Sequence, residues 1–207
     1  MKTTGFYKGL LTALALGALV FLGMRVMVSR PSDKFSKGPV PVPQFSFQDR
    51  GGTMISNSSL KGKVWVADFI FARCAGSCPM LTHQFKILQD AWKGNSGLKL
   101  VTFTVDPDHD TPAVLKKYAE DIQADPDQWF FLTGPKKELY GAIRDGFKVT
   151  AQEDPQGEAG FEFIHTTRMM LVDGDGMIRG MYDGQDDEDI KKFQQDVRYL
   201  MSSHNHQ

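Results

Sequence analysis

Two cysteines lie close together in this sequence, and the chain contains no others. Three residues separate Cys74 from Cys78, and Pro79 follows the second one. A pair of thiols at this spacing can form a disulfide, exchange disulfides with a partner, or bind one soft metal ion such as Cu(I). If the segment forms one helical turn, the two β-carbons lie about 5–6 Å apart, which is compatible with each of these outcomes. A purely structural disulfide is the plain alternative.

Two features beside the pair favour thiolate over thiol. Pro79 marks the first turn of a helix, where backbone N–H groups stabilise negative charge. Arg73 adds a cation next to Cys74, and nearby cations stabilise thiolates. We therefore expect the negatively charged form to be favoured at this pair.

A metal site built on two thiolates needs a third ligand, and the histidines are candidates. His83 is expected on the surface of a helix, and His109 lies in an Asp-Pro-Asp-His-Asp-Thr-Pro loop that we interpret as a capped turn rather than an Asp–His–Asp metal site. His204 and His206 lie on a polar tail. His165 ends a loop directly before a strand that should be next to the strand leading to Cys74, so that the loop can carry it to the thiols. From the residues alone, an exposed loop position remains the alternative.

Methionine thioethers are a second source of soft ligands near the motif. Met80, Met169 and Met170 are the candidates. Methionine at such positions more often packs in the core, so we do not include these residues in the predicted site.

Hydrophobic patterning predicts the elements that position the cysteines. The predicted elements from residue 64 onward are a buried strand at Val64–Phe71, a helix after Cys78 with Leu81, Phe85, Leu88 and Trp92 inward, a strand at Leu98–Val105, a helix opening at Thr111-Pro112, a strand at Trp129–Leu132 and a helix over 135–145. The strands are short, β-branched and aromatic. The helices show apolar residues at helical spacing.

The C-terminal part of the chain predicts a hairpin and a final helix. We expect a short strand at Phe147–Thr150, an exposed loop over 151–162, and a hairpin around Asp173-Gly174-Asp175-Gly176. Asp186 is predicted to cap the last helix. The order strand–helix–strand–helix–strand, then hairpin, then helix, predicts an α/β thioredoxin-like sandwich: a central mixed sheet with flanking helices. In such sheets the site lies at the carboxyl ends of the strands, where Cys74 falls.

Composition and charge limit the classes of protein. The 207 residues are 41% hydrophobic and 24% charged, which indicates an ordinary globular domain. Residues 1–30 contain four basic residues and no acidic one, so the remainder is net acidic although the whole chain carries −1. An acidic body argues against a nucleic-acid partner.

The N-terminal segment predicts a membrane anchor. Residues 9–28 form an apolar run of about the length that spans a hydrocarbon core, preceded by Lys2 and Lys8. A cleaved secretory signal is the alternative, although a small-x-small cleavage site is missing. Both interpretations export the body, which in a bacterium places it on the periplasmic side. The anchor interpretation gives a single-pass inner-membrane protein with a periplasmic C-terminal domain. The predicted organisation is an anchor (1–30), a Pro/Gly-rich tether (31–43), a thioredoxin-like domain (44–201) and a polar tail (202–207).

With these residues in view, the chain resembles the Sco/SenC family of copper chaperones for cytochrome c oxidase assembly. Phe71-x-x-Cys74-x-x-x-Cys78-Pro79 is similar to the family's cysteine motif, and Val105-Asp106-Pro107-x-x-Asp110-Thr111 is similar to its Asp-Pro loop. His165 stands shortly before a strand, a hairpin and a final helix, as the family's histidine does. The resemblance covers roughly residues 40–201.

The resemblance implies a thioredoxin fold that binds one copper ion, Cu(I) or Cu(II), through Cys74, Cys78 and His165. It further implies delivery of copper to the dinuclear copper site of the oxidase's copper-bearing subunit, after loading by a copper donor protein. Reduction of that subunit's cysteines is also attributed to the family. Two alternatives stay open: an exported thiol–disulfide oxidoreductase, which needs Cys74 and Cys78 as a redox pair but not His165, and a copper or redox sensor that uses the same site.

Overall fold

A mixed sheet of eight strands forms the centre of the computed structural model, which describes residues 31–149 except 36, 37 and 39, together with 151–153 and 163–204. The strands of this sheet are β1 (Val40–Pro41), β2 (Ser46–Asp49), β3 (Met54–Ser56), β4 (Val64–Ile70), β5 (Leu98–Thr104), β6 (Trp129–Thr133), β9 (Arg168–Val172) and β10 (Met177–Asp183). Two further short strands, β7 (Ala151–Glu153) and β8 (Phe163–His165), form a separate antiparallel sheet.

The large sheet has the order β1-β10-β9-β4-β5-β6-β2-β3. β4, β5 and β6 are parallel, and β9 runs antiparallel to β4 with Ala67 opposite Met170. The predicted neighbour relation between the strand after His165 and the strand before Cys74 is therefore confirmed. The mixed sheet and its helices confirm the predicted thioredoxin-like architecture.

Within the described residues, five helices accompany the sheet: α1 (Asn57–Leu60), α2 (Cys78–Ala91), α3 (Pro112–Asp121), α4 (Lys136–Tyr140) and α5 (Asp187–His204). α4 continues into a π-helical turn, Gly141–Gly146. Thr111 accepts a hydrogen bond from the N–H of Val114 at the start of α3, and Asp186 accepts from the N–H of Asp189 at 2.8 Å at the start of α5. Both predicted helix starts are confirmed, and side-chain oxygens satisfy their first N–H groups.

Aromatic side chains fill both faces of the sheet. One face contains Phe85, Trp129, Phe131, Tyr182 and Phe193, and the other contains Phe45, Phe47, Trp65, Phe69, Phe103 and Phe147. All seven residues of β4 are buried, as expected for a central strand covered on both faces. Burial of each large apolar side chain contributes roughly 1.5–3 kcal/mol, so the strand before the cysteine motif is firmly held.

The predicted strand at Phe147–Thr150 is wrong. The N–H of Phe147 donates to Ala142 and the N–H of Val149 donates to Ile143, so the chain continues the end of the helical segment. Lys148 then adopts a φ of +58°, which interrupts an extended strand. The segment expected to be an exposed loop instead begins with β7 and is followed by β8; residues 154–162 lie outside the described residues.

Residues 32–35 are docked on α5. The backbone N–H of Ser32 donates to Asp196 at 2.6 Å, and Asp196 also accepts from the buried hydroxyl of Tyr182 at 2.7 Å. Lys34 pairs with Asp189 at 3.0 Å. The segment therefore reaches the domain well before β1. In the described part of the chain no helix combines the length and apolar character needed to cross a membrane; the anchor predicted at 9–28 lies outside that part.

Candidate metal-binding and redox site

The cysteine motif sits where β4 ends and α2 begins. The N–H of Cys74 donates to the carbonyl of Phe71 at 3.1 Å in a tight turn, and a short loop leads from Cys74 to Ser77. Cys78 is the first residue of α2 and Pro79 the second, which confirms the predicted helix start. The four residues from Cys74 are not a helical turn, so the loop itself determines the separation of the thiols.

The two cysteines are thiols in contact with one another and are not joined by a disulfide. Cys74 is half-buried, whereas Cys78 is only 1% exposed. The side-chain hydrogen bond with Cys74, together with burial, raises the pKa of Cys78, and the nearby carboxylate of Asp68 adds to the effect. The expectation that the thiolate is favoured is therefore wrong for Cys78, because neighbouring negative charge and lost hydration outweigh the helix N-terminus.

Arg73, the residue before Cys74, forms an ion pair with a buried carboxylate. Its guanidinium donates to Oδ2 of Asp106 through Nη2 at 3.1 Å and Nε at 3.3 Å. The other oxygen of Asp106 lies 2.9 Å from Nδ1 of His109. Asp106 is only 2% exposed, so this half-buried pair fixes the residue before Cys74. His109 belongs to this turn, as predicted.

Asp110 is buried beneath the same loop and accepts a hydrogen bond from it. Its Oδ2 accepts the backbone N–H of Ala72 at 3.0 Å and the hydroxyl of the buried Thr104. Burial raises the pKa of Asp110 to about 6, although both hydrogen bonds oppose the change. We call Arg73, Asp106 and Asp110, with the Ala72 N–H, the carboxylate clasp. The Asp-Pro loop seen in the sequence thus positions the cysteine motif, a role that sequence reasoning did not assign to it.

A phenol also lies close to the thiols. The hydroxyls of Tyr118 on α3 and Thr82 on α2 are 2.7 Å apart. Burial first, and then the negative charges of Asp68 and the cysteines, raise the pKa of Tyr118 to about 12. Sequence reasoning did not single out Tyr118; the signal that it faces a polar neighbourhood is its hydroxyl, which needs a partner when buried.

His165 is the last residue of β8, opposite Ala151 of β7. Its side chain lies outside the described residues, so its predicted place beside the thiols stays a prediction. The chain just after it is well held: the carbonyl of Thr167 accepts the N–H of Gly184 at 2.8 Å, and the hydroxyl of Thr167 donates to Asp183 at 2.8 Å.

The remaining candidate ligands separate clearly by exposure. Met169 and Met170 are completely buried, as predicted for core residues, whereas Met80 is 46% exposed. His83 is exposed on α2, as expected.

Within the residues that the structure describes, no group of three or more His, Cys, Asp and Glu side chains could hold a metal ion. Among the described His, Cys, Asp and Glu side chains, the two contacting thiols are the donors that fit a soft ion.

A contacting dithiol at the carboxyl end of a central strand in a thioredoxin-like domain can exchange disulfides or bind a soft metal ion. The model of the SCO1/SenC family matches residues 36–202. The chain belongs to this family.

Relatives of known name and structure agree with this assignment. The SCO1 protein homolog of Bacillus subtilis is 36% identical over 159 residues, which cover 76% of this chain and 81% of the relative. Bradyrhizobium japonicum ScoI, solved with copper bound, has a TM-score of 0.66 at 25% identity and is matched over 78% of this chain and 99% of its own. BsSco, described as a Sco-family cytochrome c oxidase assembly protein with a disulfide switch, has a TM-score of 0.66 at 33% identity over 81% and 99% of the two chains.

Proposed function

We propose that this protein is a copper-binding chaperone that serves the assembly of cytochrome c oxidase by delivering copper to the dinuclear copper site of the oxidase. Cys74, Cys78 and His165 are the proposed ligands of one copper ion per chain. The observation that carries the proposal is the contact between the two thiols at the start of α2. Family membership and the copper-bound relative support the choice of metal.

The chemistry of the site suits a metal that must be bound and then released. Two sulfur ligands favour Cu(I), and an imidazole allows Cu(II) to be accepted as well. Cys74 is half-buried and Cys78 is buried, so an incoming ligand approaches from the side of Cys74. Binding has to displace the thiol protons, and a disulfide between the two sulfurs would exclude the metal.

Membrane attachment is part of the proposal. The apolar run at residues 9–28 would hold the domain at the bacterial inner membrane with the site on the periplasmic side. In the proposed organisation an anchor (1–30) leads into residues 31–43, which pack on the domain through Ser32 and β1, and the domain (44–201) is followed by a polar tail (202–207). The proposed partners are the copper-bearing oxidase subunit and a copper donor protein.

Thiol–disulfide exchange is the second candidate function. Its supporting observation is the asymmetry of the pair: Cys74 is half-buried and Cys78 is buried. In exchange reactions the accessible sulfur attacks, and the buried partner then resolves the mixed disulfide. Such an activity would act on the cysteines of the client subunit and would not need His165.

An anaerobic Cu(I) titration of the reduced protein against a competing chelator tests the proposal. The protein, its Cys78→Ser variant and its His165→Ala variant are compared, all carrying His204→Ala and His206→Ala so that tail imidazoles do not contribute. We expect one tight equivalent that is lost in Cys78→Ser and weakened in His165→Ala. Weak binding that is the same in all three proteins contradicts copper delivery and favours thiol exchange.

A further inference from the structure

Met80 is an exposed thioether beside a dithiol. It is the third residue of α2, two positions after Cys78, and 46% of its surface is accessible. The other two methionines considered near the motif, Met169 and Met170, are completely buried. Exposure by itself is ordinary for a single apolar side chain, but the surroundings of Met80 distinguish it.

The thioether belongs to the segment that carries the cysteines and contacts a turn that is bonded to the His165 segment. Gln185 places its side-chain amide 4.0 Å from the sulfur of Met80. The neighbouring Gly184 donates its N–H to the carbonyl of Thr167, which is two residues after His165. A β-carbon at Gly184 would collide with the side chain of Leu81 at 2.3 Å. The 183–185 turn is therefore packed closely against the first turn of α2 on one side and bonded to the His165 segment on the other.

Helix geometry makes Met80 a rim residue rather than part of the buried pair. Two residues along a helix correspond to a rotation of about 200°, so Met80 faces outward where Cys78 faces the core. A methionine side chain is long, unbranched and polarisable, and its sulfur is a ligand that selects Cu(I). A thioether also carries no proton that a metal must displace.

We propose that Met80 is a relay ligand that binds Cu(I) in passing, between a partner protein and the Cys74–Cys78 pair. This inference rests on the proposed copper-delivery function. In the relay step a bond from the Met80 sulfur to Cu(I) forms while one bond from the ion to its previous ligand breaks. Copper stays Cu(I), no electron is transferred and no proton leaves Met80. During loading, the thiols then replace the thioether as ligands. During delivery, the partner's ligand replaces the thioether.

The direct test observes the thioether itself. The full chain is labelled at the methionine methyl groups with ¹³C, purified in detergent, reduced, and titrated anaerobically with Cu(I). The Met80 signal is assigned with Met80→Leu. We expect the Met80 methyl resonance to shift or broaden during the titration, whereas that of Met54 stays unchanged. Met54 is a matched control because it is 55% exposed and lies on β3, at the opposite edge of the sheet.

A kinetic measurement separates a relay from a passive contact. Cu(I) transfer from the loaded protein to a chelator is followed by stopped flow for the unsubstituted chain, Met80→Leu and Met54→Leu. We expect Met80→Leu to slow transfer by about threefold or more, with equilibrium affinity changed much less, since the relay acts on the rate. Met54→Leu should transfer at the original rate.

The outcomes distinguish the relay from the function on which it rests. If one equivalent of Cu(I) binds and the Met80 methyl resonance does not change, the relay alone is overturned. The relay is also overturned if the resonance shifts but Met80→Leu transfers Cu(I) at the original rate. A slower transfer without any methyl shift also overturns it, because the substitution would then act through packing. Failure of Cu(I) to bind to the unsubstituted chain overturns the delivery function and the relay together.

Discussion

Cys74 and Cys78 follow a strand of the large sheet, whereas His165 ends a strand of the separate two-stranded sheet. The cysteine half, which comprises the two thiols and the carboxylate clasp, is fixed by a fully buried strand and by buried carboxylates. In the histidine half, the described strands β7 and β8 pair through three residues each. The proposed site therefore joins ligands carried by two different sheets, one of eight strands and one of two short strands.

This difference suggests how a metal site can be both specific and reversible. Positions held by many buried contacts open rarely, and short peripheral pairings open at little cost in free energy. The cysteine half would determine which ion is bound, and the histidine half would determine how readily the ion is released. Substitutions that affect one half and spare the other test this division.

The largest expected effect comes from the cysteine half. Cys78→Ser replaces the buried sulfur of a proposed ligand with a hydroxyl that Cu(I) does not favour. We expect Cu(I) affinity to fall by more than about 100-fold, beyond the usual effect of a residue that only orients a ligand. Disulfide formation with Cys74 should be abolished in the same variant, as measured by thiol titration after mild oxidation. Retention of tight binding would show that Cys78 is not a ligand.

His165→Ala should have a smaller and more selective effect. We expect Cu(I) affinity to decrease by about 10–100-fold, because two thiols still hold the ion. Formation of the Cys74–Cys78 disulfide should proceed at the original rate, since that reaction involves the cysteine half alone. Competition with a chelator and a thiol assay measure the two properties. Equal losses of copper affinity and disulfide formation would show that the two halves are coupled.

Asp110→Ala tests the carboxylate clasp. The change leaves the buried hydroxyl of Thr104 and the N–H of Ala72 without their shared acceptor, which costs about 1–3 kcal/mol in the free energy of unfolding. Urea denaturation measures this loss, and Asp108→Ala is a matched control because Asp108 is on the same loop but pairs only at the surface with Lys136. An unchanged free energy of unfolding in Asp110→Ala would mean that the carboxylate clasp does not stabilise the fold.

The pH dependence of stability gives the smallest expected effect. Burial raises the pKa of Asp110 from 3.8 to about 6, so between these values the folded chain binds more protons at this group than the unfolded chain. The contribution of Asp110 to the free energy of unfolding is therefore complete below about pH 4 and declines as the pH rises toward 6. In Asp110→Asn, the free energy of unfolding should lose this part of its dependence on pH, which has a slope of at most about 1.4 kcal/mol per pH unit. Identical slopes in the two proteins would contradict the raised pKa.

Much of the cysteine half was predictable from sequence because its elements follow from local periodicity. The apolar run after Lys63 predicts β4, and the spacing of Leu81, Phe85 and Leu88 predicts α2. Pairing of the strand after His165 with β4 followed from the order of elements. These features are encoded within a few residues or by the rules of strand connection.

The parts that sequence reasoning missed depend on contacts between distant residues or on single backbone angles. Ala72 and Asp110 are 38 positions apart, and no periodicity links them. The pairing of Arg73 with Asp106 likewise joins residues that are 33 positions apart. Lys148 has a positive φ, and the strand in the structure begins after it, at 151–153 instead of the predicted 147–150. A local pattern carries no information about such partners.

The docking of Ser32 on α5 has a consequence for how a client is found. With the proposed anchor ending at Val28, four peptide steps separate the bilayer from a residue bonded to Asp196. Such a length of chain spans at most about 14 Å. The domain would then search for its client in the plane of the membrane rather than in the volume of the periplasm. Confinement of this kind raises the effective concentration of two membrane-bound partners without any added contact between them.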